Sequence, residues 1–464
     1  MSAIQNILAV ISKQIVFWAA WVVIPLIMEI IPSIIGFFVL VKKRKAHKKD
    51  RELVYWPEIT LIVPNYNSGD TLEKCLDSVF QSEYPADKIT VLVVNNGSTD
   101  NSFEVFRQYQ WEHNRYHLKW MNAKQGKSHA LNMALFHSTG KYIIQIDSDG
   151  ILHPSALKNM VTRFENHGDI DCMTGVILTN PEQIERTGGF WKRLMQRTEF
   201  FEYAQAFLAG RNFQSQLDSI FTMAGAFSAF RKSIILKTRL YNAETVGEDT
   251  HITFQIRRLL KGRIDICENA LFFVDPIPDF GSLYIQRQRW QRGEIEVVHM
   301  FDKTIGSISQ FVTNFMTRLL MYDHTFAFPR MIWYFALPCL VFINYPINYV
   351  VISVLYIYLL YVLTTFLYYL CICTYLYFDK KIKRYYMRKA YLIFVLPIYS
   401  LVIFWVRLAG IINSAKHQSS WKARTLRQEE GDLRAVIGSD LRVFNRWLNR
   451  LKGLVNNGQE QGDT

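Results

Sequence analysis

The pattern of hydrophobic and polar positions divides the chain into two kinds of region. Residues 15–41 form an apolar run with a single charge, Glu29, and it is long enough to cross a bilayer. Residues 331–378 form a second apolar run, about twice the length of one crossing. Between them, from about 52 to 328, short β-branched runs alternate with stretches of helical period. The pattern therefore predicts an α/β region between membrane-spanning segments.

The alternation in the central region is regular. The predicted elements are strands at 58–64, 89–94, 141–147 and 170–178, and helices at 71–80, 98–110, 128–138 and 153–165. Strand–helix alternation is typical of a mostly parallel sheet with helices on both faces. In such sheets ligands bind beyond the carboxyl ends of the strands. Polar residues that directly follow a strand are therefore the first candidates for a functional site.

Polar segments follow three of these strands. They are NYN at 65–67, NNGSTD at 95–100 and DSD at 147–149. Two carboxylates with one residue between them, Asp147 and Asp149, can hold Mg2+ or Mn2+ through their oxygen atoms. By itself an Asp-x-Asp pair also fits a solvated turn, so the neighbouring motifs must decide between the two interpretations.

The formal net charge of +13 fits a membrane protein with basic flanks or a soluble protein that binds nucleic acid. The position of the cations favours the first class, because KKRKAHKKDR at 42–51 directly follows the first apolar run. Cationic flanks stay on the cytoplasmic side of a membrane. We therefore expect the N-terminus outside, the α/β region in the cytoplasm and no nucleic-acid partner.

The later apolar residues predict a helical hairpin that turns at NYPIN, 344–348, and a third crossing from Ala390 to about Ile412. Three crossings after a cytoplasmic domain would place the C-terminus outside. The cationic segment KARTLR at 422–427 is instead typical of a cytoplasmic flank. Either the last apolar segment is re-entrant or the number of crossings differs by one.

These patterns together predict a multi-pass protein of the cell membrane. Its regions are an N-terminal transmembrane helix with a basic flank at 1–51, a cytoplasmic α/β domain at 52–300, interfacial helices at 301–330, transmembrane helices at 331–412 and a basic polar tail at 413–464.

Seven motifs occur in a fixed order between about residues 55 and 300. They are PNYNSGDTLEKCLDSV, VVNNGSTD, KQGKSHALNMAL, IIQIDSDG, GAFSAFRKS, VGEDTHITFQI and QRQRW. The series resembles the family 2 glycosyltransferases, and most closely their membrane-embedded processive branch, which includes the synthases of hyaluronan, cellulose, chitin and poly-N-acetylglucosamine. It is also similar to exopolysaccharide transferases of Gram-positive bacteria. The resemblance implies a GT-A-like nucleotide-sugar-binding domain flanked by transmembrane helices.

The resemblance also implies a role for each residue that matches a motif. In the family the first two loops hold the nucleotide, and the matching residues here are Asn65, Tyr66, Asn67, Asn95 and Asn96. Lys127 would approach the phosphates or the donor sugar, and Asp147 would lie against the nucleotide. Asp149, with Asp147 beside it, would bind the Mg2+ or Mn2+ that bridges the diphosphate.

The last two motifs imply chemistry at the acceptor. Asp249 would be the general base, with Glu248 as its nearest rival, and Gln286, Arg289 and Trp290 would close over the diphosphate and the acceptor sugar. Inverting transfer needs a base to take the proton from the attacking hydroxyl. It also needs positive charge near the departing diphosphate. The segment GAFSAFRKS at 225–233 fits either a place near the acceptor or a core strand with a tight turn.

Two loops depart from the usual pattern of the family. Relatives usually carry an aspartate in the loop that reads Asn95-Asn96 here, and that carboxylate commonly accepts the uracil N–H. An asparagine oxygen can still accept such a bond, but the change leaves the identity of the base open. Ser68 stands where many relatives have glutamate.

Three functional hypotheses follow. The first is a processive, inverting synthase that takes a nucleotide sugar, such as a UDP-sugar, extends a polysaccharide at the cytoplasmic face and exports it. The second keeps the enzyme but transfers a single sugar to a lipid-linked acceptor. The third is a non-catalytic membrane scaffold of an exopolysaccharide machine. Other subunits of such a machine are expected as partners beside the nucleotide sugar, the carbohydrate acceptor and the bilayer.

Overall fold

The computed structural model describes residues 30–46, 50–301, 339, 341–342 and 346–416. At its centre, every residue of strand β1 (Ile59–Asn65) is buried, and so is every residue of β4 (Tyr142–Ile146) beside it. On the other side of β1, β2 (Ile89–Asn95) is buried at five of its seven residues. Such continuous apolar strands are what a parallel sheet covered on both faces requires.

Five further strands complete one mixed sheet in the described part of the chain. They are β3 (His117–Asn122), β5 (Gly150–Leu152), β6 (Cys172–Thr179), β7 (Phe227–Arg231) and β8 (Ile264–Val274). The strand order is β3-β2-β1-β4-β7-β6-β8-β5. The strands from β3 to β4 run parallel, as do β6 and β8, whereas β7 and β5 are antiparallel to their neighbours. The predicted α/β fold with a mostly parallel sheet is therefore confirmed.

Helices cover both faces of this sheet. Along β1, Leu61 and Val63 belong to one apolar cluster, and Ile62 belongs to another, because successive side chains point to opposite faces. The helices of the first cluster include α2 (Leu72–Phe80), α3 (Ser102–Glu112) and α5 (Ala156–Asn166), and those of the second are α4 (Lys127–His137), α9 (Lys232–Ile235) and α10 (Glu248–Phe254).

The other helices connect the sheet to the apolar segments. They are α1 (Ile31–Ala46), α6 (Pro181–Arg186), α7 (Phe190–Ala204), α8 (Asn212–Gln216), α11 (Phe280–Phe301), α12 (Ile347–Tyr375), α13 (Lys380–Arg388) and α14 (Leu392–Lys416). A 3₁₀ turn covers Ala86–Lys88, and π-helical turns cover Gln205–Arg211 and Gln255–Leu259.

All the elements predicted in the central region are present, with ends that shift by a few residues. The segment GAFSAFRKS contains β7, which lies between β4 and β6 in the sheet. This agrees with the prediction that the segment is a core strand. Two longer strands escaped prediction. β3 is an edge strand with polar, exposed positions, and β8 carries the buried charges Asp265 and Glu268 inside its apolar run.

Two helices of the described chain are long and apolar enough to cross a membrane, namely Ile347–Tyr375 and Leu392–Ala409. They agree with the second half of the predicted hairpin and with the predicted third crossing. Most of the first apolar run, the first half of the hairpin, the interfacial segment 302–330 and the tail from 417 lie outside the described residues. The predictions made for those segments remain predictions.

The segment that joins α12 to α14 packs against the α/β region. The ring of Tyr386 stacks on Phe201 with centroids 4.2 Å apart, and His153 Nε2 lies 3.3 Å from Asp379 Oδ2. The end of α1 reaches the same place, because Tyr375 donates a hydrogen bond to the carbonyl of Leu40 at 2.9 Å. The basic ends of α1 and α13 therefore lie on the side of the α12–α14 pair that faces the sheet.

Gly140→Ala is expected to destabilise the fold, because the added Cβ would lie 2.6 Å from the backbone carbon of Ile59 and from the nitrogen of Thr60. The sheet backbone cannot yield there, so we expect a loss of about 2 kcal/mol or more, measured as thermal unfolding in detergent. Gly168→Ala is the matched control, since no heavy atom lies within 4 Å of its added Cβ. Equal melting temperatures for the two variants would contradict this account of the β1–β4 contact.

Candidate active site

Three asparagines end neighbouring strands in register. Asn65 of β1 pairs with Asn95 of β2, and Asn95 pairs with Asn122 of β3. Because these strands are parallel, their side chains meet at the carboxyl edge of the sheet, where such folds bind ligands. Asn65 and Asn95 were predicted as site residues, whereas Asn122 was missed because β3 itself was not recognised.

Hydrogen bonds to fixed donors set the orientation of the two amides in the second loop. The Asn95 oxygen accepts from the backbone N–H of Ser98 at 2.8 Å, so its Nδ2 points to Asn122 Oδ1 at 3.0 Å. The Asn96 oxygen accepts from the backbone N–H of Gly126. Each oxygen thus already holds a loop in place, and any bond to a base would have to use its second lone pair.

The first loop is tied to the turn between Asp147 and Asp149. Tyr66 is half exposed beside it, and Asn67 adopts a left-handed backbone conformation with φ 49° while its side chain accepts from Thr99 N at 2.8 Å. The hydroxyls of Ser68 and Ser148 lie 2.7 Å apart. Ser68 therefore links the first loop to the residue between the two aspartates.

Lys127, the first residue of α4, contacts oxygen atoms that belong to several elements of the fold. Its Nζ lies 2.5 Å from Asp147 Oδ1, 3.9 Å from Glu248 Oε1 and 3.3 Å from the carbonyl oxygen of Gly225. Burial acts to lower the pKa of Lys127, but the charges of Asp147 and Glu248 raise it, so the ammonium stays charged. The lysine thus joins the end of β4 to the start of α10.

Asp149 lies at the mouth of the site, with its side chain open to solvent. Desolvation by surrounding atoms, followed by the charge of Asp147, raises the pKa of Asp149 to about 6, and water screens part of this effect. A divalent cation would relieve that repulsion. Asp147 is already paired with Lys127, so Asp149 is the carboxylate that is better placed to bind a metal.

The two aspartates alone do not complete a metal site. The described residues contain no group of three or more His, Cys, Asp or Glu side chains that could hold an ion. Magnesium and manganese keep several waters and bind through a few carboxylates together with substrate phosphates. The donor set at Asp149 therefore fits a cation that shares its coordination with a bound diphosphate.

Glu248 and Asp249 are the first two residues of α10, and Glu248 approaches Lys127, which also pairs with Asp147. Burial raises the pKa of Glu248 to about 7, against the opposing charge of Lys127 and with the charge of Asp249 acting in the same direction as burial. Asp249 accepts a hydrogen bond from its neighbour's N–H, Thr250, at 2.7 Å. Its other oxygen lies 3.1 Å from the point where a Cβ on Gly225 would stand. A side chain at 225 would therefore crowd the Asp249 carboxylate.

A contact between two glycines sets α11 against α10. A Cβ on Gly293 would lie 2.9 Å from the Cα and the nitrogen of Gly247, so the two backbones touch. Glu296, one turn further along α11, accepts from Thr245 Oγ1 at 3.2 Å. The helix that carries the Gln-x-x-Arg-Trp residues is thus held directly against the turn that presents Glu248 and Asp249.

The predicted residues of α11 divide between the interior and the surface. Gln286 is half buried, and its Oε1 has no hydrogen-bond partner among the described residues. Arg289 is exposed, and its charge acts on the Glu248 carboxyl to lower the pKa of that group. Trp290 is 36% exposed. Arg289 therefore lies close enough to Glu248 for its charge to act on that carboxyl. The Trp290 ring remains open to solvent on one side.

Residues 60–238 match the family described as Glycosyl transferase family 2. This stretch contains the three strand ends, Lys127 and both aspartates of the Asp-x-Asp turn. It stops before Glu248, Asp249 and helix α11, which the structure brings to the same edge of the sheet.

Curated relatives agree with this match. The poly-beta-1,6-N-acetyl-D-glucosamine synthase of Staphylococcus epidermidis is 25% identical over 240 residues, which cover 52% of this chain and 55% of that protein. The synthase of the same name from Staphylococcus aureus strain MSSA476 is 25% identical over 241 residues, with the same two shares. The chain thus spans about half the length of the curated relatives it matches.

A solved structure shares the fold. The mannosyltransferase PcManGT from Pyrobaculum calidifontis, in complex with GDP-Man and Mn2+, superposes with a TM-score of 0.55 at 19% identity. The superposition covers 77% of this chain and 96% of that one. At this identity the likeness establishes the fold alone, and it agrees with the predicted GT-A-like domain.

Gly293→Ala should impair function more than folding. Alanine favours a helix over glycine by about 1 kcal/mol, but its Cβ would push α11 away from Gly247. We expect the turnover rate to fall by about tenfold or more, because reacting groups must be aligned closely. Gly281→Ala in the same helix is the control, since its Cβ would meet only the Asp279 side chain at 3.2 Å. Unchanged turnover in Gly293→Ala would show that the glycine contact does not align the site.

Glu248→Gln should change how stability depends on pH. The pKa of Glu248 rises from 4.5 to about 7 on folding, so the folded state binds more protons and the free energy of unfolding falls as pH rises through this window. The glutamine variant does not lose this free energy of unfolding, because its amide does not titrate. Its advantage in melting temperature over the wild type should therefore grow between about pH 5 and about pH 8.

Glu185→Gln provides a control of opposite sign. A hydrogen bond from Arg197 lowers the pKa of Glu185 to about 2, so this carboxylate contributes stability at neutral pH that is lost only in acid. Its glutamine variant should melt below the wild type at neutral pH. A melting-temperature difference for Glu248→Gln that stays constant with pH would contradict the raised pKa.

Proposed function

We propose that this chain, whose residues 60–238 match the family described as Glycosyl transferase family 2, transfers a sugar, with inversion, from a nucleotide-sugar donor to a growing polysaccharide. The observation that carries this proposal is the position of Lys127. Its ammonium lies between Asp147, at the donor edge of the sheet, and Glu248, the neighbour of Asp249. One site therefore contains charges suited to a diphosphate and a carboxylate suited to an acceptor hydroxyl.

The donor nucleotide would lie along the ends of β1 and β2. The Tyr66 ring is half exposed there and can stack on a base, while Asn65, Asn67, Asn95 and Asn96 shape the loops around it. Asp147 would face the ribose and phosphates through its pairing with Lys127. A UDP-sugar is the donor we propose.

Mg2+ or Mn2+ would be held by Asp149 together with oxygens of the diphosphate. A bound divalent ion supplies positive charge to the departing diphosphate. Lys127 and Arg289 add fixed positive charge on the protein side of the same space. Asp149 would lose its share of this binding on protonation, since its pKa lies near 6 in the protein alone.

Asp249 is proposed as the general base. It is half buried, and its Oδ2 faces Gly225, where the absence of a side chain leaves room beside the carboxylate. An acceptor hydroxyl in this space would lose its proton to Asp249 as it attacks the anomeric carbon. Glu248 is less suited to that task, because its carboxylate lies 3.9 Å from the Lys127 ammonium.

The acceptor would be a polysaccharide that lies against α11 and the apolar helices. Trp290 offers one exposed ring face next to Arg289, and aromatic rings suit the apolar faces of sugars. The named relatives make poly-β-1,6-N-acetylglucosamine, which favours a chain-extending reaction over the transfer of a single sugar. Repeated addition and export through the membrane are part of this proposal.

Placement in the cell membrane is proposed from α12 and α14. Both helices are long and apolar enough to cross a bilayer, and the segment between them packs on the α/β region. If both cross, the basic ends of α1 and α13 lie on one side with the catalytic domain, as cationic flanks do on the cytoplasmic side. The C-terminal end of α14 would then lie on the outer side.

Purified protein in detergent or nanodiscs, given a panel of nucleotide sugars with Mg2+ or Mn2+, tests this function. The panel comprises UDP-N-acetylglucosamine, UDP-glucose, UDP-glucuronate and GDP-mannose. We expect one donor to release its nucleotide, and the product, sized by gel filtration, to be a polymer. Asp249→Asn should reduce the transfer rate by about 100-fold or more, because it removes the base and keeps the shape.

Asp218→Asn is the matched control, since this aspartate is exposed in a loop with φ 47°, a conformation that asparagine also adopts. If Glu248→Gln lost all activity and Asp249→Asn retained it, the general base would be Glu248 and not Asp249. Absence of nucleotide release from every donor in the wild type would refute the proposed function.

A further inference from the structure

Arg287 occupies the middle of the Gln-x-x-Arg-Trp segment and points away from the surface. Its side chain is 1% exposed, and its Nη2 donates to Glu202 Oε2 of α7 at 2.6 Å. Its Nε has no hydrogen-bond acceptor among the described residues. Glu199 is a second acidic group that acts on this guanidinium, but of the two carboxylates Glu202 is the one that accepts a hydrogen bond from it. A buried guanidinium with one hydrogen-bonded carboxylate gains from other favourable contacts, because charge is costly to remove from water.

Two aromatic rings supply those contacts. The guanidinium carbon lies 4.4 Å from the centre of the Trp290 ring and 5.3 Å from that of Tyr203. Both distances fall within the range of cation–π attraction, which is strongest for tryptophan and grows when water is excluded. Tyr203 and Trp290 themselves lie 6.2 Å apart at 30°. One side of the Trp290 ring is therefore occupied from within the protein.

The carboxylate that fixes Arg287 is also held by an apolar helix. Tyr399 of α14 donates to Glu202 Oε2 at 3.2 Å, the same oxygen that accepts from Arg287. Met195 and Tyr399 pack beside the cluster of Ile277, Leu283 and Ile403, which joins α7, α11 and α14. Hydrogen bonds through Glu202 thus connect a candidate membrane helix to Arg287, which contacts the Trp290 ring by a cation–π interaction.

We propose that Arg287 is a positioning residue for the acceptor site: clamped by Glu202 and Tyr399, its guanidinium holds the Trp290 ring so that the exposed face is ready to stack on an acceptor sugar. The inference rests on the proposed function, since it takes the acceptor to be a carbohydrate. Arg287 itself touches no substrate. Its effect on acceptor binding passes through Trp290, and the bond from Tyr399 couples that effect to α14.

A double-mutant cycle tests this inference. With UDP-N-acetylglucosamine as donor and a short β-1,6-linked N-acetylglucosamine oligosaccharide as acceptor, Arg287→Gln combined with Glu202→Gln should raise the acceptor KM by about tenfold. The donor KM should stay within about twofold, because the donor loops are untouched. In a Trp290→Ala background the same pair should have no further effect on the acceptor KM, as residues that act through one another are not additive.

Three further variants separate positioning from general damage. Arg287→Lys keeps the charge and should recover part of the acceptor affinity. Tyr399→Phe should change the acceptor KM in the same direction but less. Arg163→Lys is the matched control, because Arg163 of α5 is similarly buried and paired with Glu268 of β8 at 3.1 Å. It should lower the melting temperature and leave the acceptor KM unchanged.

A spectroscopic measurement keeps the test independent of activity. The emission of Trp290, obtained as the difference between wild type and Trp290→Phe, should become more accessible to acrylamide in Arg287→Gln/Glu202→Gln. An unchanged Trp290 signal, or additive effects on the acceptor KM, would overturn the inference. If the wild type uses no donor, the proposed function fails, and the emission measurement alone decides whether Arg287 positions the ring.

Discussion

The ammonium of Lys127 is the charge on which the arrangement of the site depends. It pairs with Asp147 at 2.5 Å, approaches Glu248 at 3.9 Å and donates to the carbonyl of Gly225 at 3.3 Å. Burial, together with the charge of a neighbouring carboxylate, raises the pKa values of Asp149 and Glu248. The lysine is the cation that contacts both the Asp-x-Asp turn and the start of α10.

Close backbone packing between α10 and α11 also determines the geometry of the site. The contact between Gly247 and Gly293 places α11 directly against the turn before Asp249. Buried Arg287 then joins α11 to Glu202 of α7, and Tyr399 of α14 bonds to the same carboxylate. A continuous set of contacts therefore runs from the Asp-x-Asp turn to a helix that is apolar enough to span a bilayer.

Much of this could be predicted from the sequence, because parallel strands follow a simple rule. Once β1, β2 and β4 were recognised by their apolar runs, Asn65, Asn95 and Asp147 had to lie at one edge of the sheet. Asn122 was missed because β3 is an exposed edge strand, and β8 was missed because Asp265 and Glu268 interrupt its apolar pattern. The roles of Arg287 and Gly293 depend on contacts with distant parts of the chain, which no local pattern reveals.

The most direct test is a structure of the protein determined with Mn2+ and the nucleoside diphosphate that the donor panel identifies. The account predicts that the metal binds Asp149 and the diphosphate, that Lys127 lies beside the phosphates, and that Asp249 faces the open space above them. A nucleotide bound at another edge of the sheet, or a metal bound away from Asp149, would contradict it.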